Sequence, residues 1–242
     1  MMMSYICIDL ETTGLNPKTD KIIEVGAVKI IDGQQAGIFS TFVNPGRKLE
    51  QRITELTGIE DKDLEKAPYI EEILPKLLEF MEELPLLGHS ILFDFSFLKR
   101  AAAYYKLTFE KEAVDTLKIA RKYLAELEHR SLDYLCQHYQ IPHHAHRAMD
   151  DAQATDILYR KLTELFDNGN EDLFKPQKLV YKVKKDTPPT KSQKIKLYHL
   201  LEQHKITLDA DIERLTRSEV SRYTDKILSG AIKPRDTAPL NV

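Results

Sequence analysis

The chain has 242 residues, 42% hydrophobic and 30% charged, which is ample for a buried core and ordinary for a globular protein. Nowhere do 18 apolar residues run together, which excludes a membrane-spanning helix, and two isolated cysteines, Cys7 and Cys136, make neither a disulfide framework nor a zinc site. The net charge of −3 conceals an asymmetry: residues 182–242 hold 13 Lys/Arg against 8 Asp/Glu, a balance of +5, and residues 1–181 carry −8.

A front portion at −8 does not attract nucleic acid unaided, so if it handles nucleic acid a divalent metal must supply the local positive charge. Asp9 and Glu11 interrupt any apolar leader. With reduced thiols, this makes a cytoplasmic protein with no membrane partner the expectation.

In chain order, residues 4–10 (SYICIDL) are β-branched and apolar, as in a buried strand. A turn-rich loop follows from Thr12 to Pro17. A second strand is predicted over 22–31 (IIEVGAVKII), Asp32-Gly33 is a hairpin signal, and 37–43 (GIFSTFV) returns as a third strand. Ile70, Ile73, Leu74, Leu77, Leu78 and Met81 recur at helical spacing and predict a helix over 70–83. Residues 85–88 (PLLG) suit a short buried strand, and further helices are predicted over 94–106, 115–125, 131–139 and 148–166. This order gives an α/β or α+β domain over residues 1–168.

Residues 169–190, with Pro176, Pro188 and Pro189, read as a linker, although the alternation in Leu179–Val183 also suits a short strand. Residues 191–242 form a small helical module, with capping-box patterns at Thr190/Gln193 and Thr216/Glu219. A module of this size is marginal alone.

The chemistry begins at Asp9 and Glu11. Their i, i+2 spacing at the end of an apolar strand sends both carboxylates from one face. Such a pair repels and loses hydration, a cost that a hard divalent cation such as Mg²⁺ or Mn²⁺ removes. Taken alone, the pair reads more readily as two solvated acids on a strand running into water, because D-x-E recurs by chance.

Three strings in order narrow the choice: Asp9-Leu10-Glu11-Thr12-Thr13-Gly14-Leu15, then Gly88-His89-Ser90-Ile91-Leu92-Phe93-Asp94 with Phe97 and Leu98 beyond it, then His146-Arg147-Ala148-Met149-Asp150-Asp151. Together they resemble the DEDDh 3′–5′ exonuclease family of the ribonuclease H-like superfamily, which includes the proofreading epsilon subunit of bacterial DNA polymerase III. The resemblance covers roughly residues 4–166, with Leu56–Ile59, Asp115–Leu117 and Arg130–Asp133 as further matching text. One departure is Ser90, where many relatives carry Asn.

The resemblance implies an α/β fold, a ribonuclease H-like mixed sheet flanked by helices, followed here by the helical module. It implies a metal-dependent exonuclease that releases nucleoside 5′-monophosphates from single-stranded or frayed DNA 3′ ends, in proofreading or repair. Asp9, Glu11, Asp94 and Asp151 would hold two divalent ions, Mg²⁺ or Mn²⁺, and about −4 of charge from four carboxylates suits two such ions. His146 would act as general base, since an imidazole accepts a proton near neutral pH. On a continuous helix the step from His146 to Asp151 turns about 140°, so His146 is expected on a mobile loop leading into the helix. The run His143-His144-Ala145-His146 also admits a metal-binding reading, and only the motif register prefers Asp151 over Asp150.

Substrate contacts implied by the resemblance are Leu10, Thr12 and Thr13 at the terminal nucleotide, Leu15 as a wedge, and Phe93 beneath a base or ribose, with His89 and Ser90 lining the cleft. Partners would be a DNA 3′ end and a DNA polymerase or other replication protein. Two alternatives stay open: a 3′–5′ exoribonuclease, because family members acting on RNA share the five residues, and a non-catalytic polymerase-associated scaffold. The +5 tail, with Lys191, Lys194, Lys196 and Lys205 on or beside one predicted helix, suits a docking module or a plain solvated face.

Overall fold

A computed structural model describes residues 3–169, 172–183 and 187–232. The chain divides into two compact units, Met1–Pro45 with Leu49–Val183, and Gly46–Lys48 with Lys184–Val242. No helix among the described residues is long and apolar enough to cross a membrane.

The first unit opens with the antiparallel meander β1 (Tyr5–Thr12), β2 (Ile22–Ile31) and β3 (Gln34–Phe42). Asp32 and Gly33 join β2 to β3 with φ of 49° and 79°, the paired positive values that a tight hairpin requires. Two short helices not anticipated in the sequence, α1 (Gln51–Thr57) and α2 (Asp61–Leu64), precede α3 (Ile70–Met81). Next come β4 (Leu86–Gly88), α4 (Leu92–Tyr104), β5 (Glu112–Asp115), α5 (Thr116–Tyr123), α6 (Leu132–Tyr139) and α7 (Ala148–Phe166). The helix expected over 115–125 thus begins only after a short strand. Asp115 closes that strand and caps the helix, its side chain accepting from Leu117 N–H at 3.0 Å.

The sheet runs β3-β2-β1-β4-β5-β6, where β6 is Gln177–Lys178. The pairs β1/β4 and β4/β5 are parallel and the others antiparallel. The mixed, helix-flanked sheet is the ribonuclease H-like architecture. The stretch read as a linker carries β6 within it, and the strand lies just before Leu179–Val183 rather than in it. Phe174 and Leu179 are buried in the two cores of this unit, which is why the chain stays attached to the sheet beyond residue 168. Residues 170, 171 and 184–186 of that stretch lie outside the described residues.

Side-chain alternation along β1 separates two cores. Ile6, Ile8 and Leu10 join Leu74, Leu77, Phe95 and Leu98 of α3 and α4 on one face. Tyr5 and Cys7 join Ile119, Leu135, Leu158 and Tyr159 of α5, α6 and α7 on the other. Asp9 and Glu11 continue the second series, so the alternation that buries Tyr5 and Cys7 also places the two acids on the face that α7 covers.

In the second unit, α8 (Lys191–Gln203) and α9 (Arg217–Leu228) pack around Leu197, Leu200, Leu201, Val220 and Ile227. Both start with capping boxes, at Thr190/Gln193 and Thr216/Glu219. Residues 233–242 of the anticipated module lie outside the described residues.

Gly26 on β2 sits directly opposite Asp9. A Cβ placed there would lie 2.2 Å from the Ala148 carbonyl carbon and 2.3 Å from the Met149 nitrogen, both main-chain atoms of the α7 start. Gly26→Ala must therefore lift the helix from the strand. A loss of about 1–3 kcal/mol, the usual cost of overpacking, is expected in urea unfolding. An unchanged midpoint would show that α7 has room to move.

Candidate active site

Pairing between β1 and β4 covers Ile6 and Cys7. Further along β1, the first turn of α4 takes the place of a strand: Leu10 N–H donates to Asp94 Oδ1 at 3.0 Å. This bond fixes Asp94 beside the strand end carrying Asp9 and Glu11. A register irregularity between Glu11 and Thr12 then turns the chain away. From the opposite face, the α7 start brings in Asp151.

Asp9, Glu11 and Asp151 each offer an oxygen within 4.8 Å of the other two. Asp94 stands outside that group but lines the same cleft, whose volume is about 270 Å³. Leu10, Leu15, His89, Ser90, Phe93 and His146 complete the wall. The structure thus brings together the five residues expected to carry chemistry and five of the seven expected to touch substrate.

Thr12 and Thr13 do not line the cleft. Both are buried and turned into their own loop: Thr12 Oγ1–H donates to Gly14 O at 2.7 Å, and Thr13 Oγ1 accepts from Lys21 N–H at 3.0 Å. Their position in the motif gave no hint of these local bonds, which threonines in turns commonly make. Leu15, by contrast, is 85% exposed at the cleft mouth.

His89 is braced on both ring nitrogens. Nε2 lies 2.8 Å from Arg130 O, which only accepts, so Nε2 carries the proton. Nδ1, 2.9 Å from Thr116 Oγ1, then accepts from that hydroxyl. Burial lowers its pKa, which keeps the ring neutral. Ser90, at φ 69°, donates its N–H to Asp115 Oδ1 at 2.9 Å. Phe93 packs against Phe97 with ring centroids 5.0 Å apart.

His146 lies two residues before α7, with φ 67° and an exposed side chain. Its own N–H donates to Asp151 Oδ2 at 3.1 Å. The other oxygen, Asp151 Oδ1, is bonded by Nε2 of His143, whose ring is buried. Sequence reasoning missed this role for His143, along with Glu24, Arg147 and Asp115. Glu24 was the findable one, since it is a charge inside the apolar run IIEVGAVKII.

The donors are all oxygens, which suits a hard divalent cation. Their electrostatics point the same way. Burial, then repulsion from Asp94 and Asp151, holds the Asp9 carboxyl well above its usual pKa. Burial does the same for Asp94 and raises Asp151. Glu11 is pushed from 4.5 to about 8 by burial, then by Asp151 and Glu24.

Each carboxyl therefore binds its proton more tightly folded than unfolded. For Glu11, without metal, the folded chain holds the extra proton between pH 4.5 and about 8, so its contribution to stability falls as pH rises through that window. Thermal scans in EDTA should show the melting temperature dropping from pH 5 to pH 8. Glu11→Gln should flatten the drop, and Mn²⁺ should restore stability at pH 8. A melting temperature in EDTA that does not fall across this range would refute the repulsion.

Residues 6–159 match the exonuclease family. Among relatives, the DNA polymerase III PolC-type of Caldanaerobacter subterraneus is 42% identical over 162 residues, 66% of this chain and 12% of the relative. The Bacillus subtilis PolC-type is 31% identical over 246 residues, 94% of this chain and 17% of the relative. The chain thus spans a small part of these polymerases. Among solved structures, exonuclease X in complex with 5′-overhanging duplex DNA matches with TM-score 0.53 and 24% identity, over 66% of this chain and 92% of that one. E. coli exonuclease I in complex with a dA16 oligonucleotide matches with TM-score 0.58 and 18% identity, over 72% and 42%. Fold, acidic cluster and family match agree, and the chain belongs to the exonuclease family, as a DEDD-type 3′–5′ exonuclease of the ribonuclease H-like superfamily.

Proposed function

We propose that this exonuclease removes nucleoside 5′-monophosphates from DNA 3′ ends, single-stranded or frayed, in proofreading or repair, and works beside a DNA polymerase. The observation that carries the reading is the convergence of Asp9, Glu11 and Asp151 within 4.8 Å, with Asp94 in the same cleft. DNA is favoured over RNA because the PolC-type relatives are DNA polymerases and the two solved structures hold DNA. The cleft volume of about 270 Å³ is of the order of a single small ligand, as suits an enzyme that takes one terminal residue at a time.

In this reading the four carboxylates hold two divalent ions, Mg²⁺ or Mn²⁺. When bound, such ions activate water and stabilise the departing 3′-oxygen. The protein's own groups do the rest. Asp94, tied to Leu10 N–H, and Asp151, tied to His143 and the His146 amide, present their remaining lone pairs to the cleft. His146, exposed at the rim, takes the proton from the attacking water and passes it to solvent. Leu15 and Phe93 offer apolar contact to a splayed terminal base, which is indifferent to sequence.

The test uses 5′-labelled and 3′-labelled DNA and RNA oligonucleotides with Mg²⁺, Mn²⁺ or EDTA. Mononucleotide release from the 3′ end should stop in EDTA. Asp9→Ala and Asp151→Ala should each lose about two orders of magnitude or more. Near-normal turnover in either variant would sink the metal-site reading, and faster turnover on RNA would reassign the substrate.

His146→Ala should cost about 10²–10⁴-fold in turnover, the worth of a positioned base, and keep Mn²⁺ binding by calorimetry. Loss of Mn²⁺ binding would make His146 a ligand. A second candidate base is His143, because its side chain, rather than that of His146, bonds Asp151. A larger turnover loss in His143→Asn than in His146→Ala would favour it.

The catalytic body in this proposal runs to Val183, and the module from 191 onward docks nucleic acid. Of the four lysines first singled out, Lys194 is committed to Glu213, whereas Lys191 and Lys196 are exposed on α8. Lys191→Glu with Lys196→Glu should weaken affinity for long DNA and shallow its salt dependence, with turnover on short oligonucleotides kept. Unchanged affinity at low salt would remove the nucleic-acid role.

A further inference from the structure

Glu24 is only 3% exposed, and its register partner across the β1/β2 pair is Glu11. A buried carboxylate beside the acidic cluster is costly unless it is paired and hydrogen-bonded. Glu24 is both. Its Oε1 accepts from Arg147 Nη2 at 3.0 Å, and its Oε2 accepts from Arg147 Nε at 3.4 Å and from Ala148 N–H at 3.1 Å. The guanidinium also lies over the Phe42 ring, 5.5 Å from its centroid.

The place of these bonds in the chain matters. Arg147 is the N-cap residue of α7 and supplies no side-chain cap of its own. A carboxylate from a neighbouring strand caps the helix instead, satisfying its first amide and favoured by the positive end of the helix dipole. Arg147 follows His146 directly, and Asp151 sits in the turn that Ala148 begins. Glu24 and Gly26 are two residues apart on β2, so the strand that seats the helix main chain also holds its cap.

We propose that Glu24 and Arg147 form a positioning clamp for the nuclease reaction. It holds His146 and the α7 start, with Asp151, in register with the β1 acids while touching neither substrate nor metal. The inference rests on His146 and Asp151 acting as proposed above. Partners beyond the direct ligands typically alter activity about 10–100-fold when changed, and a bidentate fork is not replaced by a lysine.

A merely structural ion pair is separable from a positioning one. Replacing both partners of a buried pair with apolar residues is often neutral or stabilising. The full-length Glu24→Leu/Arg147→Met double variant should therefore melt within a few degrees of the parent, yet show a turnover number about 10–100-fold lower. Its KM for a short DNA oligonucleotide should stay within about threefold. Arg147→Lys, which keeps the charge and loses the fork, should fall in the same range. If the double variant unfolds, Arg147→Lys and Glu24→Gln carry the same comparison.

The deciding measurement is a double-mutant cycle with His146→Ala. Under the clamp, most of the Arg147→Lys loss vanishes once His146 is gone. Full additivity, or unchanged turnover in the folded double variant, overturns it. So does a rise in KM alone, which would make Arg147 a phosphate ligand. A His146→Ala variant with full activity would fail at the site reading instead, visibly before any cycle is closed.

Discussion

Carboxylate repulsion is the constraint around which this fold is organised. Asp9 and Glu11 leave one face of β1, Asp94 arrives from the first turn of α4, Asp151 from the first turn of α7, and Glu24 lies across the strand pair. All are half-buried or buried, in a medium that screens their charges poorly. The protein answers each in a different way. Asp94 takes a main-chain amide, Asp151 takes an amide and an imidazole, and Glu24 takes a guanidinium and an amide. The Asp9 and Glu11 carboxyls are held above their usual pKa by burial and then by their acidic neighbours.

The sheet topology makes this concentration of charge possible. Antiparallel pairing with β2 runs the length of β1, whereas the parallel pairing with β4 is brief. The shortness of β4 leaves room for the α4 helix to enter beside the strand with its first turn. Both acidic helix turns thus approach β1 with their amide ends, where the unpaired N–H groups favour negative charge.

Much of this was readable from residue order. The meander, the helical periodicity of α3 and the set of Asp9, Glu11, Asp94, His146 and Asp151, which the fold gathers in one cleft, follow from alternation, spacing and family resemblance. Other features were not readable, three of them for a plain physical reason. Strands β5 and β6 are four and two residues long, too short for any periodicity to register. The direction of the Thr12 and Thr13 hydroxyls was hidden because their motif says nothing of where a hydroxyl turns, and both turn into the loop. His143 approaches Asp151 through a loop conformation including a positive φ at His146, which spacing alone does not encode.

Gly26 has a wider meaning in this light. The helix bearing Asp151 rests on the strand opposite Asp9 through main-chain atoms on one side and a hydrogen atom on the other. The gap between the two halves of the acidic cluster is therefore set by the van der Waals radii of the polypeptide itself. Side chains elsewhere in the two cores can drift over evolutionary time, swelling or shrinking by a methyl group. As long as that glycine and its contact persist, the spacing across the cluster is inherited as a constant of the backbone.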